Sequence, residues 1–381
     1  SEQFRNFFFL AQGRKMTAFK VRPKGAAFEM YDERTIPGGG SSTGVAFGPD
    51  GALYVTDWMN GPSDRGRIWK IDSIEGKDNP ARKRTSQLLA EGMGGKDVGY
   101  LVACLAEPDS RVRKAAQFEL VRRKKTWALL AVAKQTENQL ARLHAIWGIG
   151  QVARGWPDGK NKDAGAVGPL LQLLEDKDAE VRTQAAKVLG ESAHAQALEP
   201  LLGLLKDSSL RVRFHAAVAL GKLNSAKAID PLLELVREND DEDAFLRHGA
   251  VMGLVGSTKA DPKVLLETIN SPHSSVRLAA ILALRRHAHP GISSFLKDQD
   301  LYLVTETARA IHDDFSIPDA LPALAEILDR PDLEGEALLR RAINANFRVG
   351  RPADAERLAR YAASPSSPEN MRSTALPCPA L

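Results

Sequence analysis

The chain has 381 residues, 43% hydrophobic and 26% charged, with a formal net charge of +4. That length accommodates two or more domains and a large buried core. The composition excludes a disordered chain, and the small net charge does not call for a nucleic-acid partner. No run approaches the roughly 18 apolar residues of a membrane-crossing helix.

Residues 1–80 hold short strand-like runs, several of which alternate apolar and polar positions, the period of strands. The runs are Phe7-Phe-Phe-Leu10, Met16–Val21, Ala27–Tyr31, Gly44–Phe47, Ala52–Thr56 and Gly66–Ile71. Pro49-Asp-Gly51 predicts a tight turn, because Pro presets φ and Gly accepts φ > 0. Strands packed this densely predict antiparallel sheet. Ser1-Glu-Gln-Phe-Arg is no signal peptide, and without an initiator Met a chain truncated at its start is expected.

Residues 73–95, charged and containing Gly92, Gly94 and Gly95, read as a linker. Helix pairs are predicted at about 97–124, 126–153, 165–192, 197–224, 228–256, 262–287, 291–314 and 318–349. The insertion Gly155-Trp-Pro-Asp-Gly-Lys-Asn-Lys-Asp-Ala164 reads as a polar loop. Pro169, Pro200, Pro231 and Pro322 sit near the starts of first helices, where a missing N–H costs little. Gly190 and Gly221 fall near the ends of second helices. Beyond these, Pro352–Arg360 begins a further helix, Ser364-Pro-Ser-Ser-Pro368 breaks it, and Glu369-Asn-Met-Arg begins one more. The final Pro-Cys-Pro cannot continue a helix. A solenoid normally ends in a polar capping repeat, so an incomplete C-terminus is expected. The resulting division is 1–72 for the sheet part, 73–95 for the linker, 96–362 for the helical repeats and 363–381 for an irregular tail.

The helical part repeats one motif: Asp109-Ser-Arg-Val-Arg113, Asp178-Ala-Glu-Val-Arg182, Ser209-Leu-Arg-Val-Arg213, Asp243-Ala-Phe-Leu-Arg247 and His273-Ser-Ser-Val-Arg277. Gln139-Leu-Ala-Arg142 is a weaker copy. The closing arginines of the clear copies are 69, 31, 34 and 30 residues apart, the first gap holding the weak copy and the insertion. A period near 30 with two helices per unit means an α-solenoid. The predicted fold is mostly α, about seven to eight helix pairs behind a small antiparallel β segment.

Few residues carry a chemical signature. Asp57 and Trp58 end a strand at a loop rim, a place for a contact to substrate or cofactor, or for a turn Asp and a packing Trp. Arg65 and Arg67 suit an anion or plain solvation. The repeat arginines Arg113, Arg142, Arg182, Arg213, Arg247 and Arg277 suit a structural tie between helix pairs, since a guanidinium places several donors in one plane. A ligand-binding arginine ladder is the alternative. Residues 81–125 hold 11 Lys/Arg against 5 Asp/Glu, a solvated face or an anion-binding patch. His287-Ala-His289 lacks further ligands at metal spacing, and packing accounts for His144 and His215. Pro37-Gly-Gly-Gly40 lacks the Lys and helix of a phosphate loop. Asp240-Asp-Glu-Asp243 lacks the EF-hand glycine and terminal Glu. Cys104 and Cys378 form no disulfide framework and no C-x-x-C-H.

Ala166–Gly190 and Ala197–Gly221 resemble HEAT-like repeats, of the short kind also seen in phycobilin-lyase-like proteins. Gly44-Val-Ala-Phe-Gly-Pro-Asp-Gly-Ala-Leu-Tyr-Val-Thr-Asp-Trp58 with Gly66-Arg-Ile-Trp69 resembles the last blade of a glucose/sorbosone-dehydrogenase-like β-propeller. Such a blade joined to HEAT-like repeats is similar to the bacterial membrane-bound dehydrogenases, which add a c-type haem domain. The resemblance implies an exported, periplasmic sugar or alcohol oxidoreductase. It implies PQQ and haem c for the whole family but neither for this chain, whose blade and a half cannot close a propeller. Its expected partners are the missing blades and haem domain, with a possible protein on the concave face of the solenoid. On this basis the chain is a non-catalytic scaffold. A stand-alone protein-binding adaptor is the alternative, and a nucleic-acid-binding protein using the 81–125 cluster comes third.

Overall fold

The computed structural model describes residues 6–12, 15–36, 42–58, 66–135, 137–331 and 333–376. The chain divides into two compact units, Ser1–His194 and Ala195–Leu381. Pro37–Gly40, Arg65 and Cys378, named above, lie outside the described residues.

The first unit opens with two three-stranded antiparallel sheets. One holds β1 (Phe8–Gln12), β2 (Lys15–Lys24) and β3 (Ala27–Ile36) in that order. The other holds β4 (Ser42–Phe47), β5 (Leu53–Asp57) and β6 (Arg67–Ile71). Alternation puts every second side chain on one face. Met16, Leu53 and Val55 are thus buried together, with Phe9, Ile36 and Val45 against them. The predicted turn forms between β4 and β5: Gly51 takes φ +73° and donates to the Gly48 carbonyl at 2.9 Å, and the Asp50 carboxylate accepts from Ala52 N.

Helices α1 (Pro80–Glu91), α2 (Val98–Cys104), α3 (Ser110–Arg122), α4 (Thr126–Ala133) and α5 (Gln139–Ala153) follow. A 3₁₀ stretch at Ala164–Glu175 and α6 (Ala179–Glu191) complete the unit. Helix α1 corrects the reading of 73–95 as a linker. The signal was local: Asn79 caps the helix through Ala81 N, and Pro80 stands at its first position. Only Leu88 of α1 is buried, so no apolar stripe announced it. Pro169 lies inside its 3₁₀ stretch rather than at its start, where it removes a helical donor.

The second unit runs through α7 (Leu198–Leu204), α8 (Leu210–Leu223), α9 (Ile229–Asn239) and α10 (Ala244–Ser257). A 3₁₀ stretch at Pro262–Asn270 precedes α11 (Ser274–Arg286), and another at Pro290–Lys297 precedes α12 (Leu301–His312). Then come α13 (Leu321–Glu326), α14 (Glu336–Val349), α15 (Pro352–Ala363) and α16 (Glu369–Ala375). The tail read as irregular therefore contains α16, whose Met371 and Ala375 are buried. Gly221 is not a cap: Asn224 ends α8 in the left-handed region, and Gly221 lies where α8 and α10 touch.

The recurring motif has a direct structural meaning. Its first residue is the N-cap of a second helix: Asp109, Asp178 and Asp243 accept from backbone amides two or three residues past the cap. Such a cap contributes about 1 kcal/mol. Its hydrophobic residue, Val112, Val181, Val212, Leu246 or Val276, is buried in the core, worth about 1.5–3 kcal/mol each. Its arginine turns back toward the preceding helix.

Candidate functional site

The repeat arginines converge on one geometry. Each is four residues past the N-cap, which turns its guanidinium back toward the end of the first helix of its own pair and the turn that follows it. Arg113 donates to Glu107 O at 2.6 Å and Pro108 O at 2.7 Å. Arg182 donates to Asp176 O at 2.7 Å, Arg213 to Asp207 O at 2.5 Å and Arg277 to Ser271 O at 2.6 Å. Arg142 donates to Ala133 O at 3.0 Å, and Arg247 bonds the Asp241 carboxylate. A cation at exposed helix carbonyls also meets the negative end of the helix dipole. Arg142, Arg213 and Arg277 also meet a carboxylate of the following repeat: Arg142 holds Asp176, Arg277 holds Asp298 at 2.7 and 3.2 Å, and Arg213 stands 3.6 Å from Glu238. Burial, the largest single influence, opposes the charge on Asp176, but the Arg142 hydrogen bonds, the Asp178 backbone N–H and the charges of Arg142 and Lys177 together hold the carboxyl below its usual range. Arg113 is buried with Nε unpartnered and with no carboxylate on it among the described residues; burial pulls its pKa down.

Most basic residues of 81–125 find partners within the chain, several of them at its surface. Arg82 makes a two-point contact with Asp72 at 2.8 and 3.0 Å and also donates to the Asp50 carbonyl. Arg111 pairs with Asp109 and donates to the carbonyls of Phe47 and Gly48, both at 2.8 Å. These two side chains pin the β4–β5 turn to α1 and α3. Arg84 pairs with Glu107, Lys83 with Asp78, Lys96 with Glu91, and Arg122 and Arg123 with Glu119. Arg123 further bonds the carbonyls of Lys96 and Gly94 at 2.7 Å.

At the sheet rim, Asp57 is only 3% exposed, and its carboxylate accepts from the Trp69 indole N–H at 3.0 Å. Asp57 is directly opposite Arg67 in the β5–β6 register, and the Arg67 guanidinium stands 5.7 Å from the Trp69 ring. Trp58 is exposed. The structure thus joins Asp57 and Arg67 through Trp69, which the sequence did not single out. The signal was its hairpin pairing with Val55, next to Asp57 on the same face.

A second set missed in the sequence bridges the second helices of the first unit. His144 Nδ1 meets Gln117 Oε1 at 2.7 Å, Gln117 Nε2 donates to Gln151, and Trp147 Nε1 donates to Gln184 at 2.8 Å. Burial, and secondarily the charge of Arg113, pushes His144 down to about 4. His287 meets Thr258 Oγ1 at 3.0 Å, and His289 Nδ1 accepts from Gly291 N. Asp243 is a helix cap and Asp241 an arginine partner. Among the described residues, no group of His, Cys, Asp and Glu is placed to hold a metal ion.

Residues 126–191 and 167–255 match the family of HEAT repeats. The helix pairs of this region are HEAT repeats. Among solved structures, an engineered protein is 18% identical over 79% of this chain and 95% of its own, with a TM-score of 0.35. The complex of CpcE and CpcF of phycocyanin lyase from Nostoc sp. PCC7120 is 18% identical over 67% and 94%, with a TM-score of 0.36. The E. coli protein YIBA is 20% identical over 66% and 92%, with a TM-score of 0.40. No curated protein sequence matches the chain. The HEAT region contains the arginine ties of Arg142, Arg182, Arg213 and Arg247, and no helix of the described residues is long and apolar enough to cross a membrane.

Proposed function

We propose that the chain is the HEAT-repeat scaffold portion of a larger exported protein of the propeller dehydrogenase type, carrying sheet blades at one end of its repeats. The observation behind this reading is the outer face of the first sheet. Phe9, Met16 and Ala18 point to the second sheet, so the alternating residues Phe8, Leu10, Met30 and Phe28 lie on the opposite face. They are exposed by 54, 51, 59 and 47%. An apolar sheet face of this kind is what a further packed sheet covers. The anchoring of the β4–β5 turn by Arg82 and Arg111 supports a sheet body held firmly against the first helices.

In this reading the repeats hold the blades, and the redox chemistry of a sugar or alcohol dehydrogenase, with PQQ and haem c, belongs to other parts. The residues present do not fit those groups. Cys104 is buried at the end of α2 and the sequence has no C-x-x-C-H. Asp57 is buried and bonded to Trp69. The test is the reading frame on either side of residues 1–381. Five or more further blades upstream, with a C-x-x-C-H segment downstream, are expected. A frame encoding neither would overturn the proposal.

A second reading, a protein-binding adaptor, draws on one repeated position. Leu140, Phe245 and Tyr302 each lie two residues past the N-cap of a second helix, and all are about half exposed. A frame encoding nothing but repeats would favour that reading.

A further inference from the structure

We propose that β6 is the pairing edge through which two copies of this chain join their second sheets into one continuous six-stranded sheet. The proposal rests on the strand edge and not on the open face behind the proposed function.

Of the four edge strands, β1 and β4 pack against each other, which leaves β3 and β6 as the outer edges, and these are built differently. The β3 edge is guarded. Its pairing with β2 is broken by a bulge, Asp32 takes φ +51°, and its side chains carry the pairs Lys15–Glu33, Lys20–Asp32 and Arg22–Glu29. Bulges and charges are how sheets keep strangers off an open edge. The β6 edge carries charges too, Arg67 and Lys70, but Lys70 is drawn back to Asp50 and no bulge interrupts the strand. It is a regular five-residue strand in unbroken register with β5, and every residue in it is exposed, Ile68 by 70%.

The side chains of β6 also leave a core unfinished. Trp69 lies opposite Val55 and Ile71 opposite Leu53, so both extend the face that is buried between the sheets, yet both remain over a third exposed. A strand added to this edge would cover them, and its backbone would satisfy the outward N–H and C=O groups of β6.

The sequence of β6 suits a second copy of itself. Antiparallel pairing about a two-fold axis at Trp69 places Trp69 beside its counterpart on the core face. Arg67 then lies opposite Ile71, and Ile68 opposite Lys70, so no like charges are directly opposed. Lys70 is already turned to Asp50 at 2.7 Å and Tyr54, which leaves its stem as apolar cover for Ile68.

Sedimentation velocity of the 381-residue chain across a wide concentration range tests this. A dimer of twice the chain mass is expected, with slowed amide exchange in Ile68–Ile71 that appears only as the dimer forms. Ile68→Lys puts lysines opposite each other and is expected to give a monomer with an unchanged far-UV spectrum. Met30→Lys, on the open face of the other sheet, is expected to leave the dimer intact. A monomer at every concentration would overturn the proposal, and so would protected β6 amides in that monomer, which would mean that another segment of the chain lies there. A dimer that survives Ile68→Lys and dissolves with Met30→Lys would overturn it in favour of the open face.

Discussion

Arg142 and Asp176, 34 residues apart in the chain, form a two-point ion pair that ties one HEAT repeat to the turn of the next. The arginine is almost wholly buried, and its Nε is held at the same time by Ala133 O. Removing one partner of such a pair strands a buried charge. Asp176→Ala should cost about 3–5 kcal/mol in urea unfolding of the chain. Arg142→Met combined with Asp176→Leu should recover much of that loss. Equal losses in the single and double variants would show that the pair contributes nothing specific.

Arg82 and Arg111 should matter to the sheets far more than to the repeats. Arg82→Ala removes the contacts to Asp72 and to the Asp50 carbonyl, and Arg111→Ala those to Phe47 and Gly48. Charge-assisted bonds of this kind contribute about 1.5–3 kcal/mol each. The double variant should show faster amide exchange and proteolysis through residues 42–57, with the helical signal at 222 nm unchanged. Simultaneous loss of helix would mean that the two parts do not unfold separately.

His144 sets a pH dependence. Its pKa is about 4 in the folded chain, against about 6.5 when unfolded. Above pH 6.5 both states are neutral and the stability is complete. Below it the unfolded chain takes the proton first, so stability falls progressively as pH drops toward 4, by about 3 kcal/mol in all. His144→Gln, which keeps a polar side chain beside Gln117, should flatten that slope. Urea midpoints at pH 7 and pH 4.5 for the two proteins measure the difference. Parallel slopes would assign the effect to other groups.

Helices α8 and α10 touch through Gly221, Gly249, Gly253 and Gly256. A Cβ at Gly256 would fall on the backbone of Gly221, and one at Gly253 would come 2.7 Å from Ala217 O. Backbone cannot yield as a flexible side chain does, so Gly256→Ala should destabilise by about 1–3 kcal/mol or more. The helix propensity gain of about 1 kcal/mol does not offset that. Thermal unfolding reads the sign directly, and an unchanged or raised midpoint would contradict the close approach.

Much of this was legible in the sequence for a physical reason. Helix pairs appear at the eight predicted places because 3.6-residue periodicity and capping aspartates are local signals. The six predicted strands appear because alternation is local too. Helix α1 escaped because a helix burying one leucine has no stripe to read. The basic cluster pointed outward toward an anion only because its carboxylates and carbonyls, Asp72, Glu107 and Phe47 among them, are distant in the chain.

The sequence by itself determined the repeat, its caps and its buried Val or Leu, because each depends on residues within one helix and its turn. The tertiary structure alone decided where the charges go. Whether Arg142 finds Asp176, Asp57 finds Trp69 or Arg82 finds the Asp50 carbonyl depends on distances between separate elements, and spacing along the chain does not contain those distances.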